Sequence, residues 1–121
     1  MNIFNLYPLS IILILAGGIF WLAGLIIQRF SPKRINFLYG YRTKRSMKDL
    51  ESWNFAQFYS GKKMKSISAY MIFLGFFLSF FKVKIIWAIP IGLILVILIP
   101  ILLIFNVEKQ LKKRFSKKNN S

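Results

Sequence analysis

Three apolar stretches separated by polar segments set out the plan of this chain. From Leu6 to Ile27 no residue carries a formal charge, and a helix rising about 1.5 Å per residue needs roughly 20 residues to cross a hydrocarbon core of about 30 Å. This run therefore predicts a transmembrane helix. No Lys or Arg precedes it and no small-x-small site closes it, so it is expected to be retained rather than cleaved as a signal peptide. A second run, Ile67 to Phe81, is short on its own. The segment before it supplies the rest: no proline occurs from Met47 until Pro90, Ser46 is the expected N-cap, and Asp49 stands three residues later in the capping-box place. The prediction is an interfacial helix that starts at the membrane surface, with or without a bend near Gly61, and enters the bilayer around Met64. The third run, Ile85 to Val107, is uncharged and long enough to cross, with Pro90 and Pro100 expected to bend it.

The predicted fold class is thus all-α integral membrane with three transmembrane helices, at about 6–27, 64–81 and 85–107, the interfacial helix extending the second. A cytoplasmic loop at 29–63 and a basic tail at 108–121, its end disordered, complete a single membrane domain over 1–121. Charge fixes the expected orientation. Arg29 to Lys65 contains ten Lys and Arg, the link after Phe81 two, the tail after Val107 six, and the N-terminal segment none. Under the positive-inside rule the loop and the C-terminus face the cytoplasm, and the N-terminus lies outside.

Composition narrows the chemistry. The 121 residues carry a net charge of +15 with three acidic side chains, no histidine and no cysteine. Disulfides, thiolate nucleophiles, the commonest zinc ligands and the usual general base are absent together. No ionisable residue falls in the middle of an apolar run, where a proton or ion path would show one. An enzyme or transporter is not expected, nor is any metal or cofactor. The cations lie only between and after the apolar runs, so they are assigned to topology and to anionic lipid rather than to nucleic acid.

Small residues mark where the spans are expected to pack, since lipid supplies no hydrophobic force between helices. Ser10, Gly17 and Gly24 recur every seven residues on the first span. On the second, Ser68 and Gly75 share that spacing, and Gly75 to Ser79 is a small-xxx-small step. These two seams are predicted to meet.

The polar segment INFLYGYRTKRSMKDLESW, residues 35–53, is the densest cassette of distinctive residues in the chain. Gly40 is expected to make a turn or a close backbone approach. Tyr39, Tyr41 and Trp53 suit the headgroup zone. Arg42 offers a donor fork matched to phosphate or carboxylate, unless Asp49 or Glu51 pairs with it across the turn. Thr43 and Ser46 are expected to cap the following helix.

The string Asn36-x-x-x-Gly40-Tyr41-Arg42-Thr43-x-x-Ser46, followed by Trp53 and Ala56 on a helix, resembles the signature of the SdpI family of bacterial immunity proteins. Where family members usually have asparagine after that alanine, this chain has Gln57, which keeps the amide and lengthens its reach. Three predicted spans also fall short of the longer members, which carry an additional N-terminal membrane region. The resemblance implies a multi-pass protein of the bacterial plasma membrane that protects its producer from a membrane-active peptide or protein toxin, by binding the toxin or shielding its target. It also implies a second role, signalling or scaffolding, in which the cytoplasmic face recruits a repressor or another membrane subunit. Asn36, Gly40, Tyr41, Arg42, Thr43, Ser46, Trp53, Ala56 and Gln57 are the recognition residues it singles out. The expected partners are anionic lipid, a secreted toxin and a cytoplasmic repressor; the oligomeric state is left open.

Overall fold

The structure, a computed structural model, describes residues 7–36 and 38–119, with side chains through 115. Leu6, the expected start of the first span, and residues 120–121 of the tail lie outside the described residues. The described residues form three helices and no strand: α1 (Pro8–Arg29), α2 (Leu50–Leu78) and α3 (Ile85–Asn119). Helices α1 and α3 are each long and apolar enough to cross a membrane. In α2 the apolar run occupies only the C-terminal half, behind Lys62, Lys63 and Lys65.

Proline opens α1, where its missing N–H costs nothing because the first turn has no intrahelical acceptor for it. At the other end the carbonyls left over by the last turn are taken up locally. Ser31 Oγ donates to Ile27 O at 2.5 Å, and the Tyr39 hydroxyl donates to Phe30 O at 2.9 Å and more weakly to Ile26 O at 3.4 Å. The loop is thereby stitched to the end of the helix it leaves.

The start of α2 differs from expectation. Its N-cap is Asp49, whose carboxylate accepts the Ser52 N–H at 2.7 Å. Ser46 and Thr43 instead close the preceding turn on each other, and so do not cap the helix. An aspartate is as good a cap as a serine and adds a charge favoured by the helix dipole, so the helix begins at the later of the two candidates. From there α2 runs unbroken through Gly61 for 29 residues, about 43 Å at the α-helical rise.

The third helix also exceeds its predicted bounds. It continues through Pro90 and Pro100 and on past Val107 to Asn119, so the basic tail is helical as far as it is described. Burial explains why. Val107 and Leu111 are enclosed with Tyr41, Ala56 and Leu103, and Phe115 packs edge-on against Phe55 at 5.8 Å. Arg114 lies over the same Phe55 ring at 4.6 Å, a cation–π contact that ties this part of α3 to α2.

The tightest pairing is α1 against α2, with α3 resting on both. Three steps of seven residues align along this antiparallel pair. A Cβ on Gly75 would lie 3.2 Å from Ser10 O, one on Gly17 3.0 Å from Ser68 O, and one on Gly24 2.8 Å from Gly61 O. The structure therefore brings Ser10, Gly17 and Gly24 against Gly75, Ser68 and Gly61, with backbones too close for any larger side chain. Gly61 is part of this contact and not a bend. Ser79 is the C-cap of α2, its hydroxyl donating to Phe76 O; the position the seam's register would set against it, residue 6, lies outside the described residues. Around the seam Leu9, Leu13, Met71, Ala88 and Ile99 form one apolar core; Tyr41, Ala56, Leu103, Val107 and Leu111 form a second beneath the polar loop.

Candidate functional site

The loop between α1 and α2 is folded by its own side chains. Asn36 Oδ1 accepts the backbone N–H groups of Leu38 and Tyr39 at 2.9 and 2.8 Å, while its amide donates to Arg34 O at 3.0 Å. One residue thus makes a complete turn, as short amide side chains do. Gly40 follows with φ +102, in the left-handed region where a side chain is strained, and a Cβ there would strike Gln57 Oε1 at 2.5 Å and Pro32 at 2.8 Å.

Gln57 then does for Tyr41 what a neighbouring strand would do. Its Oε1 accepts the Tyr41 N–H at 2.7 Å and its Nε2 donates to Tyr41 O at 2.8 Å. Both residues are buried, so these bonds satisfy a backbone donor and acceptor that water does not reach. Ser46 Oγ adds a second donor to Tyr41 O at 3.2 Å, donates also toward Thr43 O, and accepts the Thr43 N–H at 2.8 Å. Trp53 is fully buried and its Nε1 donates to Pro32 O at 2.8 Å; Ala56, also fully buried, leaves room for the loop to pass. Tyr41 and Trp53, expected as headgroup-zone aromatics, have their rings enclosed within the protein, where the loop wraps over α2. Tyr39 is the one of the three rings that stays exposed.

One charged member of the motif is left at the surface. Arg42 is exposed between two residues, Tyr41 and Thr43, whose backbones are fixed by the bonds just described. It lines an open cleft of about 290 Å³ shared by the loop residues Gly40, Tyr41 and Thr43 and by helix residues Ile27, Ser60, Met64, Pro100, Leu103 and Ile104. Beside it, Lys44, Arg45, Lys48 and Glu108 border a second, broader opening of about 700 Å³.

Glu108 is the residue of this region that the sequence pattern left unassigned to the cassette. It lies 3.8 Å from Arg45 and beside the Tyr41 phenol. The Tyr41 hydroxyl and Glu108 Oε2 are both buried, and Glu108 is close enough to act on the phenol electrostatically. Burial first, and then the Glu108 charge, push the phenol well above its ordinary 10.0, so Tyr41 stays protonated under physiological conditions. The only signal for Glu108 in the sequence is its position as the single carboxylate after α3's apolar run.

Among the described residues of this site no nucleophile stands beside a base, and what the geometry offers is an exposed guanidinium, carried on a hydrogen-bonded backbone, beside a partly apolar cleft. A family profile described as the SdpI/YfhL protein family matches residues 33–104, which takes in the whole cassette, all of α2 and more than half of α3. A protein of Bacillus subtilis (strain 168) named "Uncharacterized protein YfhL" is 49% identical over 51 residues, which cover 42% of this chain and 46% of that relative. The match thus spans less than half the length of that relative. No solved structure matches the chain. With the profile extending over more than half of its residues, the chain belongs to the SdpI/YfhL protein family.

Proposed function

We propose that this protein is an immunity-type integral membrane protein that protects the bacterium producing it from a membrane-active peptide or protein toxin, by binding the toxin or shielding its membrane target. Family membership and two apolar helices support a membrane protein of immunity type. The observation that carries the reading is the cassette itself: buried side chains fix its backbone and leave Arg42 displayed. Spending so many hydrogen bonds on one short loop is sensible for a recognition surface and unnecessary for a lipid tether.

In this reading α1, the apolar half of α2 and α3 all span the plasma membrane, with the N-terminus outside and the cassette and C-terminus in the cytoplasm. The seam supports the second span. Residues 61–75 of α2 lie alongside residues 10–24 of α1, so if α1 crosses the bilayer α2 occupies the same depth.

The test is survival of a sensitive bacterial host expressing the chain and challenged with a panel of membrane-active peptide toxins, with Arg42→Ala compared at equal membrane abundance. Protection by the wild type and its loss in the variant are expected. Absence of protection against every toxin, with the protein correctly inserted, would sink the immunity reading.

The opening bordered by Lys44, Arg45 and Lys48 favours a second reading, recruitment of an acidic cytoplasmic protein such as a repressor. A salt-sensitive pull-down that loses its partner on Lys44→Glu/Lys48→Glu, with protection absent, would select it.

A further inference from the structure

The cleft beneath Arg42 is amphipathic in a particular order. Apart from Ser60, whose hydroxyl is turned onto Gln57 O, its floor is made by apolar side chains at the ends of the expected spans: Ile27 two residues before the end of α1, Met64 where α2 turns apolar, and Leu103 and Ile104 near the end of α3's uncharged run. Its rim is the fixed backbone of Gly40 to Thr43 and the Arg42 side chain. The nearby carboxylate, Glu108, is one turn beyond Ile104 and is engaged by Arg45 at 3.8 Å, so the charge left at the mouth of the cleft is positive. Lys44 stands two residues beyond Arg42 and is exposed.

We infer that this cleft is a specific site for an anionic phospholipid of the cytoplasmic leaflet, the phosphate held by the Arg42 fork and the start of an acyl chain lying against Ile27, Met64 and Ile104. The charge is complementary, since a guanidinium meets a phosphate diester through two parallel hydrogen bonds. Depth is complementary as well: in a three-span arrangement the rim lies at headgroup level and the floor at the first methylenes. A soluble peptide would have to bring its own apolar group to this floor, whereas a lipid is already there. Diffuse attraction of the other loop cations to an anionic surface is non-specific; the cleft adds a place with a shape. This inference rests on the membrane placement proposed above and not on toxin protection.

The experiment uses the full chain reconstituted in nanodiscs of equimolar phosphatidylglycerol and phosphatidylcholine, then released into mild detergent for native mass spectrometry of the retained lipid. Wild type is expected to retain phosphatidylglycerol over phosphatidylcholine by about tenfold, because both offer a phosphate diester to Arg42 but the choline ammonium offsets the charge of its own phosphate. Arg42→Gln is expected to bring that ratio close to one. Ile104→Trp, which fills the floor and leaves every charge in place, is expected to reduce the lipid retained without exchanging its headgroup preference. Lys33→Gln removes the same charge elsewhere in the loop and is expected to change the ratio less than twofold. Equal losses in Lys33→Gln and Arg42→Gln would show diffuse attraction and overturn the site. Displacement of the lipid by soluble glycerol phosphate would overturn the lipid as its occupant and assign the cleft to a free phosphate ester. Failure of the protein to enter the nanodisc would overturn both this inference and the membrane placement, whereas insertion without preference overturns the inference alone.

Discussion

Gln57 and Gly40 divide one task between them. The glycine lets the chain turn through φ +102 and come within reach of α2, and the glutamine then holds both polar groups of the next residue, Tyr41. Because the site is buried, removing the amide leaves a donor and an acceptor without partners, at about 1–3 kcal/mol each. Gln57→Ala is therefore expected to destabilise the loop by about 3 kcal/mol. Gln57→Asn should recover little of this, since one methylene fewer cannot hold both contacts without moving the loop. The readout is limited trypsin digestion in detergent, because the cassette is rich in Lys and Arg: cleavage after Arg42, Lys44 or Arg45 should accelerate strongly in both variants while α1 and α2 stay intact. Unchanged cleavage would mean that other contacts hold the loop. Ser46 donates a second bond to Tyr41 O, so residual protection in Gln57→Ala would be removed by adding Ser46→Ala.

At the scale of elements, the α1–α2 seam is the strongest organising feature. Its partners recur at seven-residue steps on both helices, the spacing that keeps one stripe of a helix facing its neighbour over several turns. Gly24 and Gly61 lie back to back, and a Cβ on either would come within 2.8–2.9 Å of the other's carbonyl oxygen. Backbone cannot rotate away as a side chain can, so Gly24→Ala or Gly61→Ala should separate the helices at a cost of about 1–3 kcal/mol. Gly18 supplies the internal comparison, because a Cβ there meets nothing within 4 Å. Gly18→Ala is expected to leave the thermal unfolding midpoint in detergent unchanged or slightly higher, whereas Gly24→Ala lowers it; equal effects would show that the seam does not bear on stability. Much of this was legible in sequence, since small residues at a fixed spacing leave a pattern. The helix boundaries were less so. Ser46 and Asp49 are both good caps, and only the mutual Thr43–Ser46 turn, a choice between competing local bonds, moves the start to Leu50. The helical tail depends on Leu111 and Phe115 meeting residues far away in sequence, which no local pattern reports. For the same reason the cassette residues could be picked out while their use could not: Trp53 and Tyr41 read as headgroup aromatics, and only the loop's path over α2 shows them enclosed.

For the whole molecule, the question with most consequence is the number of crossings. Helices α1 and α3 are long and apolar enough to cross, and residues 61–75 of α2 run beside residues 10–24 of α1, which favours the third crossing of the proposed topology. The outward faces agree. Tyr70, Phe73, Phe76 and Phe77 on α2 are exposed, as are Leu15, Ile19 and Leu22 on α1 and Ile94, Ile97 and Phe105 on α3; so wide an apolar surface is out of place in water and suited to lipid. Lys65 fits the same picture from the edge, its stem against Gly24 and its ammonium 5.7 Å from the Trp21 ring, as a long cation does when it reaches for the interface. The chain contains no cysteine, so single substitutions give a clean test of sidedness. With three spans and the cationic loop inside, Lys82→Cys in the α2–α3 link is expected to react with a membrane-impermeant maleimide on intact cells stripped of their wall. Lys48→Cys and Lys112→Cys are expected to react only after permeabilisation. Were α2 to lie on the surface, the link would stay on the same side as the cassette and Lys82→Cys would be protected with Lys48→Cys. Both the immunity reading and the lipid site under Arg42 depend on this outcome, because each places the cassette at the cytoplasmic headgroups with the cleft opening toward the acyl chains.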